Sequence, residues 1–170
     1  MTGRRPARPA VTVRDATLAD VDAVLGLVVA VAGEGRWISV EAPVDVEGRR
    51  RRVVEDVEGD DTIALVAEAG GELVGQLDLR LARYGVADLG MLVAAGWRGR
   101  GVGTALLAEG IERARAAGAH KLALQVWPHN AAAIALYERF GFRREGLLRR
   151  HYRRRSGELW DAVIMGLPLD

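Results

Sequence analysis

The chain has 170 residues, of which 49% are hydrophobic and 28% charged, and its formal net charge at pH 7 is +1. This balance is typical of one globular domain and argues against a disordered chain or a strongly basic nucleic-acid binder. The absence of cysteine excludes disulfides, thiolate metal sites and a cysteine nucleophile. Neither a run of roughly 18 to 20 apolar residues nor a signal-peptide pattern is present, so we expect a cytoplasmic protein without membrane contact.

The first part of the chain is predicted to hold an arm, a strand and a helix. Residues 1–10 are rich in arginine and proline and lack periodicity, which predicts a disordered N-terminal arm. A short strand follows at 11–14. Thr17 and Asp20 resemble a capping pair at the start of a helix with apolar residues at helical spacing. That helix is predicted to end near Gly33.

The middle of the chain is predicted to form a second helix and three strands. Pro43 favours the start of the helix, which runs to about Gly59 and carries a block of four arginines. Residues 62–81 are typical of two strands around a turn at the Gly70-Gly71 pair, which predicts a hairpin. Residues 86–94 alternate as well and form the third of these strands.

The rest of the chain completes an α/β pattern. A glycine-rich loop precedes a helix that ends near Gly118, then a strand at 121–127 and a helix at 130–140. The apolar stripe predicted for this last helix is Ala132, Leu136 and Phe140. Two final strands flank a turn at Ser156-Gly157. The order predicts one α/β domain, residues 11–170, built on a mostly antiparallel mixed sheet.

The stretch GWRGRGVGTALL, residues 96–107, joins a strand to the N-terminus of a helix. Glycine is used where the backbone needs positive φ or where another group comes very close. The first turn of a helix presents unpaired N–H groups and the positive end of the helix dipole, which favour an anion such as phosphate. Arg98 and Arg100 add positive charge beside it. We therefore predict that this loop binds a pyrophosphate.

Spacing separates the phosphate-binding motifs that have such a loop. A Walker loop is excluded because Val102 follows Gly101 and no lysine is near. The dinucleotide fingerprint is excluded because the third glycine of its spacing is absent. The spacing that remains is Arg-x-x-Gly-x-Gly, at Arg98, Gly101 and Gly103. It resembles the acyl-coenzyme A pyrophosphate loop of the GNAT superfamily of N-acetyltransferases.

A second motif strengthens this resemblance. In WPHNAAAIALYERFGF, Asn130 precedes a helix, Tyr137 lies seven residues later on the same face, and Gly141-Phe142 follows. This pattern resembles the second half of the GNAT cofactor site. From about 11 to 169 the order of elements is similar to that of the family. The resemblance implies a single domain with a sheet of six to seven strands, about four helices, and acetyl-coenzyme A as acyl donor.

The resemblance also implies which residues hold the cofactor. Backbone groups near Leu92 and Val93, in the strand before the loop, would face the pantetheine arm. The residues implied at the pyrophosphate are Arg98, Gly99, Arg100, Gly101, Val102, Gly103 and Thr104. Asn130 is implied at the pantetheine amide, although an asparagine in this position is also a good helix N-cap.

Two residues are candidates for proton transfer. A typical alkyl amine is mostly protonated at neutral pH, so a base is useful, and Asp88 lies roughly where family members carry an acidic residue. The alternative is a solvated or structural carboxylate at a strand end. Tyr137 matches the family's tyrosine that protonates the leaving thiolate. Its alternative is a tyrosine that packs on an amphipathic helix.

The resemblance places the acceptor beside the segment between the first two helices. Glu34, Arg36 and Trp37 in GEGRWI are therefore candidates to line the acceptor pocket, and Tyr152 is a candidate from the loop between the closing strands. The alternative for the first three is a capping loop with a buried tryptophan. The three histidines share no metal-ligand spacing, so we predict no metal site.

We therefore expect an N-acetyltransferase that acts on a primary amine of a small molecule, such as an amino acid or related metabolite. The alternatives are a non-catalytic acyl-coenzyme A sensor and an acetyltransferase that acts on a protein N-terminus or lysine. The arginine runs at 48–52 and 149–155 suggest nucleic acid, but neighbouring acidic residues and the balanced net charge favour solvated faces. A homodimer is possible, since dimers are common in the family.

Overall fold

The structure is a computed structural model and describes residues 9–169. The predicted arm at residues 1–10 lies outside the described residues except for Pro9 and Ala10, which are exposed and have no regular secondary structure. No helix within the described residues combines the length and the hydropathy needed to cross a membrane.

Within residues 9–169 the domain has seven strands and four α-helices. The strands are Val11–Asp15 (β1), Thr62–Ala69 (β2), Glu72–Leu81 (β3), Val86–Val93 (β4), Lys121–Val126 (β5), Arg143–Arg153 (β6) and Leu159–Pro168 (β7). The helices are Val21–Gly33 (α1), Val46–Glu58 (α2), Val102–Ala116 (α3) and Ala131–Arg139 (α4). The sheet order is β1-β2-β3-β4-β5-β7-β6, and β4 and β5 pair in parallel whereas the other neighbours are antiparallel. The predicted fold class, a mostly antiparallel mixed sheet with four helices, is confirmed.

Side-chain caps stand at the starts of the segments that form the first two helices. Thr17 and Asp20 cap a short 3-10 turn at Leu18–Asp20 that leads into α1, as predicted. The prediction that α2 begins at Pro43 is wrong, because the helix begins at Val46. Asp45 is its N-cap, and the Asp45 carboxylate accepts a hydrogen bond of 3.0 Å from the Gly48 N–H. A carboxylate cap satisfies an unpaired N–H of the first turn, which a proline cannot do.

The apolar stripe of α4 is rotated from the predicted one. Ala132 is exposed, whereas Ile134 and Tyr137 are buried. Leu136 and Phe140 pack partly against the core. The helix begins at Ala131, so positions three and six residues later face the sheet, and this includes Tyr137.

The sheet separates two apolar clusters. One cluster packs α3 and α4 against one face and includes Leu77, Leu89 and Leu106. The other packs α1 and α2 against the opposite face around Val66, with Leu92 at its edge. Leu89 and Leu92 therefore point to opposite faces, as the alternation of β4 predicts.

The pairing of β4 with β5 ends after three residues. Val86, Ala87 and Asp88 pair with Lys121, Leu122 and Ala123. Beyond Asp88, β4 remains paired with β3, and β5 remains paired with β7 up to Val126. The two strands therefore diverge and leave a wedge in the middle of the sheet.

Candidate active site

The wedge between β4 and β5 opens into a cavity of about 900 Å³. Its walls come from both diverging strands, from one face of α4, from the glycine loop and from residues 37–39. Of the residues singled out from the sequence, those that line it are Trp37, Asp88, Leu92, Val93, Arg98, Gly99, Gly101, Gly103, Thr104, Asn130, Tyr137 and Tyr152. One continuous cavity thus brings together both predicted motifs and part of the predicted acceptor site.

The glycine loop has the backbone geometry of an anion site. Gly99 and Gly101 have φ of 68° and 86°, in the left-handed region that favours glycine. Gly101 is the N-cap of α3 and no side chain caps that helix. The N–H groups of the first turn, at Val102, Gly103 and Thr104, therefore have no helical partner, and the loop and turn line the cavity. Such an N-terminus suits a phosphate.

Arg98 joins the glycine loop to its neighbours. Its Nε donates to the carbonyl of Val93 at 3.1 Å, and its Nη1 and Nη2 donate to the two carboxylate oxygens of Glu34 at 2.7 and 2.8 Å. These hydrogen bonds from Arg98 lower the pKa of Glu34. The guanidinium charge is therefore already paired within the protein. Arg98 is thus a tie between the loop, β4 and the segment after α1. The phosphate contact that the motif implies for it stays a prediction.

Two other predicted loop residues lie outside the cavity wall. Arg100 is exposed, and its guanidinium stacks 5.4 Å from the ring centroid of Trp97. The side chain of Val102 is buried in the core, so any contact with a ligand would come from its backbone N–H.

Tyr137 is buried at the α4 wall of the cavity. Its exposed fraction is 6%, and its ring centroid lies 5.5 Å from that of Phe142. Burial raises the pKa of Tyr137 to about 12. The phenol therefore holds its proton throughout the neutral range, as a proton donor must.

Asp88 stands where the wedge begins. It is the last β4 residue paired with β5, and its side chain is exposed. The same residue lines a second, smaller hollow on the side of the sheet that faces α2. Asp88 therefore borders both hollows, and its role as a base stays a prediction.

Asn130 caps α4 and also lines the cavity. Its Oδ1 accepts a hydrogen bond of 3.3 Å from the Ala133 N–H. The cap uses the oxygen, so the amide nitrogen is the atom left to face a ligand. The two roles that the sequence left open are compatible for this reason.

The predicted acceptor residues divide into two groups. Trp37 and Tyr152 line the cavity, whereas Glu34 and Arg36 lie outside its wall. Glu34 accepts a hydrogen bond of 2.7 Å from the Trp37 indole N–H, in addition to its bonds with Arg98. The guanidinium of Arg36 lies 4.8 Å from the Trp37 ring centroid. Both residues outside the wall thus support the tryptophan that lines it.

An aromatic cluster with a buried arginine stands at this end of the cavity and was missed from the sequence. Trp127 meets Tyr152 and Trp160 edge-on, with centroid distances of 4.9 and 5.3 Å. Arg154, which is 5% exposed, stacks 4.4 Å from the Trp160 centroid, and its Nη1 donates to the Ser39 carbonyl at 3.2 Å. Such cation–π pairs gain strength from desolvation.

The signal for this cluster in the sequence is weak. Its members come from three separate segments. The aromatic residues at 127, 152 and 160 are the one feature of the sequence that indicates the cluster, and their spacing does not show that they meet. His129 belongs to the same region, since its Nε2 lies 2.8 Å from the Arg36 carbonyl. Among residues 9–169 no three His, Cys, Asp or Glu side chains are grouped as metal ligands.

Comparison with known proteins identifies the family. Residues 36–142 match the model described as "Acetyltransferase (GNAT) family". The chain is 30% identical over 164 residues to the L-methionine sulfoximine/L-methionine sulfone acetyltransferase of Pseudomonas paraeruginosa, with 94% of this chain and 95% of that protein covered. This chain belongs to the GNAT family of acetyltransferases, and it is an N-acetyltransferase, as the resemblance had implied.

Solved structures agree with this assignment. The ribosomal-protein-alanine N-acetyltransferase of Brucella melitensis superposes with a TM-score of 0.84 at 33% identity, covering 93% of this chain and 99% of that one. A phosphinothricin acetyltransferase of Sinorhizobium meliloti, solved in complex with acetyl-coenzyme A, has the same fold, with a TM-score of 0.83 at 24% identity and coverage of 94% and 88%.

Proposed function

We propose that this GNAT enzyme transfers the acetyl group of acetyl-coenzyme A to the primary amine of a small molecule, an amino acid or a related metabolite. The observation that carries the proposal is the lining of the acceptor end of the cavity. Trp37, Trp127 and Tyr152 line it with aromatic rings, and the segment after α1 at residues 34–39, which we call the roof, contributes residues 37–39 to the wall.

Three contacts hold the roof in place. The segment after α1 is tied to the glycine loop by Glu34 and Arg98, and to the start of α4 by the Arg36 carbonyl and His129. The Ser39 carbonyl accepts from Arg154, which belongs to the β6–β7 connection. A roof fixed at three points restricts the size of the amine that can enter. The similarity to an acetyltransferase of methionine sulfoximine and methionine sulfone supports an acceptor of amino-acid size.

The residues present fit acetyl-coenzyme A. A Cβ added at Gly101 would have no atom within 4 Å, so the backbone there is open to a ligand, and the adjacent first turn of α3 is uncapped. When bound, acetyl-coenzyme A supplies a thioester carbonyl that an amine can attack. We assign the N–H groups of residues 101–104 to the pyrophosphate. The open edge of β4 near Leu92 and Val93 is assigned to the pantetheine arm, and the Asn130 amide nitrogen to its amide.

Two side chains are assigned to proton transfer. Asp88 accepts a proton from the acceptor ammonium, because an amine must be neutral to act as a nucleophile. Tyr137 donates its phenolic proton to the leaving sulfur, and the acceptor nitrogen supplies the proton that restores the phenol. Trp37 and Tyr152 are assigned to the acceptor side chain. Because the sheet is continuous from β1 to β7, we assign residues 11–170 to one acetyltransferase domain; a homodimer stays a prediction.

A thiol-release assay with acetyl-coenzyme A tests this proposal. The amine panel comprises the standard amino acids, methionine sulfoximine, methionine sulfone and a peptide with an N-terminal alanine. We expect at least one free amino acid or analogue to be used with a kcat/KM at least about tenfold above that of the peptide. Preference for the peptide would overturn the proposed acceptor class and favour the activity named for the Brucella enzyme.

A further inference from the structure

A second hollow lies on the face of the sheet that α2 covers. It has a volume of about 270 Å³ and lies between α2, Val28 of α1 and the strands β3 and β4. Asp88, Leu89 and Gly90 border both this hollow and the main cavity. The hollow is therefore a polar space next to the residue assigned as the base.

A second carboxylate, that of Asp78, lies in this hollow beside Asp88. In the β3–β4 register Asp78 is opposite Gly90, and Arg80 is opposite Asp88. Asp78 and Asp88 are thus diagonal neighbours on one face, with Cα atoms about 7–8 Å apart, and carboxylates that turn toward each other in the hollow would come within reach of one shared water. A Cβ at Gly90 would lie 3.0 Å from Asp78 Oδ2, so the missing side chain leaves room for the carboxylate over β4.

The surroundings of Asp78 are polar and mixed in charge. The titratable or charged side chains that line the hollow are Arg49, Arg52 and Asp56 from α2, Arg80 from β3 and Asp88 from β4. Asp56 pairs with Arg52 and Arg80, so two of these arginines are engaged with another carboxylate. Burial, and secondly the negative charge of Asp56, raises the pKa of Asp78 to about 6.

Gln76 is the immediate partner of Asp78. Its Nε2 donates to Asp78 Oδ1 at 3.1 Å. Its Oε1 is buried and has no hydrogen-bond partner within residues 9–169. A buried polar atom without a partner is costly, so its presence beside the hollow points to a polar species there, such as a water.

Acetylation of an ammonium releases one proton to solvent in each turnover. The acceptor nitrogen loses two protons as its bond to the acetyl carbon forms and the carbon–sulfur bond breaks. One proton ends on the thiol, and the other must leave the site. When donor and amine fill the main cavity, the hollow is the route left from Asp88 to solvent. We propose that Asp78 takes this second proton from Asp88 through a water in the hollow and passes it to solvent. Asp78 is thus a positioning residue for proton release, and the inference rests on the proposed role of Asp88.

The pH dependence of kcat in the steady state tests this role, because an unprotonated Asp88 can take one proton without Asp78 but must lose it before each further turnover. Wild type, Asp78→Asn and Asp78→Glu are compared from about pH 5 to about pH 9 with the best amine of the panel, whether amino acid or peptide. We expect Asp78→Asn to lower the plateau rate about tenfold and to remove the acid limb near pH 6, with acceptor KM and acetyl-coenzyme A affinity unchanged. Asp78→Glu restores a carboxylate and should recover part of the rate and the limb.

Asp56→Asn is the matched control in the same hollow. It removes a neighbouring negative charge, so the acid limb should move to lower pH while the plateau rate is retained. A wild-type rate and acid limb in folded Asp78→Asn would overturn the inference, as would a raised acceptor KM with an unchanged rate, which would make Asp78 a binding residue. Either result leaves the proposed acceptor class intact, since that class is judged by the choice between amino acids and peptide.

Discussion

Glu34 and Arg98 are 64 residues apart in the chain and are joined by two parallel hydrogen bonds of 2.7 and 2.8 Å. The pair links the loop assigned to the pyrophosphate with the segment that roofs the acceptor end. Because Arg98 also donates to the Val93 carbonyl, one guanidinium fixes three parts of the cavity wall relative to each other.

Glu34→Ala should therefore weaken acetyl-coenzyme A binding although Glu34 does not line the cavity. About a third of each side chain is exposed, and such a bidentate pair contributes about 1 kcal/mol. We therefore expect Kd to rise about three- to tenfold in a calorimetric titration. Glu47→Ala, which removes an exposed carboxylate in the first turn of α2, is the control and should bind as wild type does. Tighter binding by Glu34→Ala would instead mean that the freed Arg98 contacts the phosphates directly.

Tyr137→Phe should lower the rate of acetyl transfer about a hundredfold, in the range that general acid–base groups contribute. The phenyl ring keeps the contact with Phe142, so folding and acetyl-coenzyme A affinity should be unchanged. Single-turnover kinetics measure the effect when chemistry limits the rate. Tyr84→Phe, at a tyrosine that is 84% exposed, is the control. An unchanged chemical rate in Tyr137→Phe would remove the phenol as proton donor.

Gly101→Ala should destabilise the glycine loop. Gly101 has φ of 86°, and an alanine in this conformation costs about 1–2 kcal/mol. To relieve this strain the loop must shift, and the shift moves the N–H groups of the first turn of α3. Because these groups are assigned to the pyrophosphate, the Kd for acetyl-coenzyme A should rise. Gly96→Ala is the matched control in the same loop, since Gly96 has no positive φ and a Cβ there would meet nothing within 4 Å. Equal Kd values for the two variants would contradict the assigned pyrophosphate site.

Asp20→Asn should lower the free energy of unfolding by about 2–3 kcal/mol at neutral pH. Asp20 is nearly buried, and both its carboxylate oxygens accept from Arg14 at 2.8 Å. These hydrogen bonds from Arg14 lower the pKa of Asp20 well below its usual range. Because the pKa of Asp20 is lower in the folded state, the carboxylate stabilises the folded protein at pH values above its unfolded-state pKa. This stabilisation is lost as the pH falls from there toward the folded-state pKa.

Denaturant unfolding at several pH values measures this effect. The difference between wild type and Asp20→Asn should shrink below about pH 4, where the unfolded carboxylate gains its proton. Asp22→Asn is the control, because Asp22 also pairs with an arginine but its side chain is 83% exposed. Such a surface pair contributes little. A constant difference across the pH range would show that the lost contact is not electrostatic.

Much of the fold was predictable because its signals are local. The alternation of β4, the glycine loop and the apolar spacing of α3 lie side by side in the sequence, so strand, loop and helix could be placed within a few residues. The start of α2 was misplaced because only Pro43 was considered as a helix start, whereas the N-cap is Asp45. In α4 the predicted stripe was wrong at Ala132 because the helix start fixes which residues face the sheet.

The parts of the site that could not be predicted depend on contacts between distant segments. The pairing of Arg98 with Glu34, and the packing of Arg154 between Trp127 and Trp160, arise only when loops from three places in the chain meet. The position of Asp78 beside Asp88 depends on the β3–β4 register, which a period-two pattern does not determine. A shift by one residue would turn Asp78 to the other face of the sheet.

The two ends of the cavity differ in how they are encoded. The wall at the end assigned to the donor comes from two continuous stretches of sequence, 88–104 and 130–137. In each stretch, neighbouring elements follow each other directly. The end assigned to the acceptor is assembled from separate loops, including 34–39 and 152–160. Substitutions in these loops can change which amine is accepted while the backbone that faces the donor stays untouched. Under these assignments, exchange of the acceptor loops would alter the substrate of this enzyme while its shared chemistry is kept.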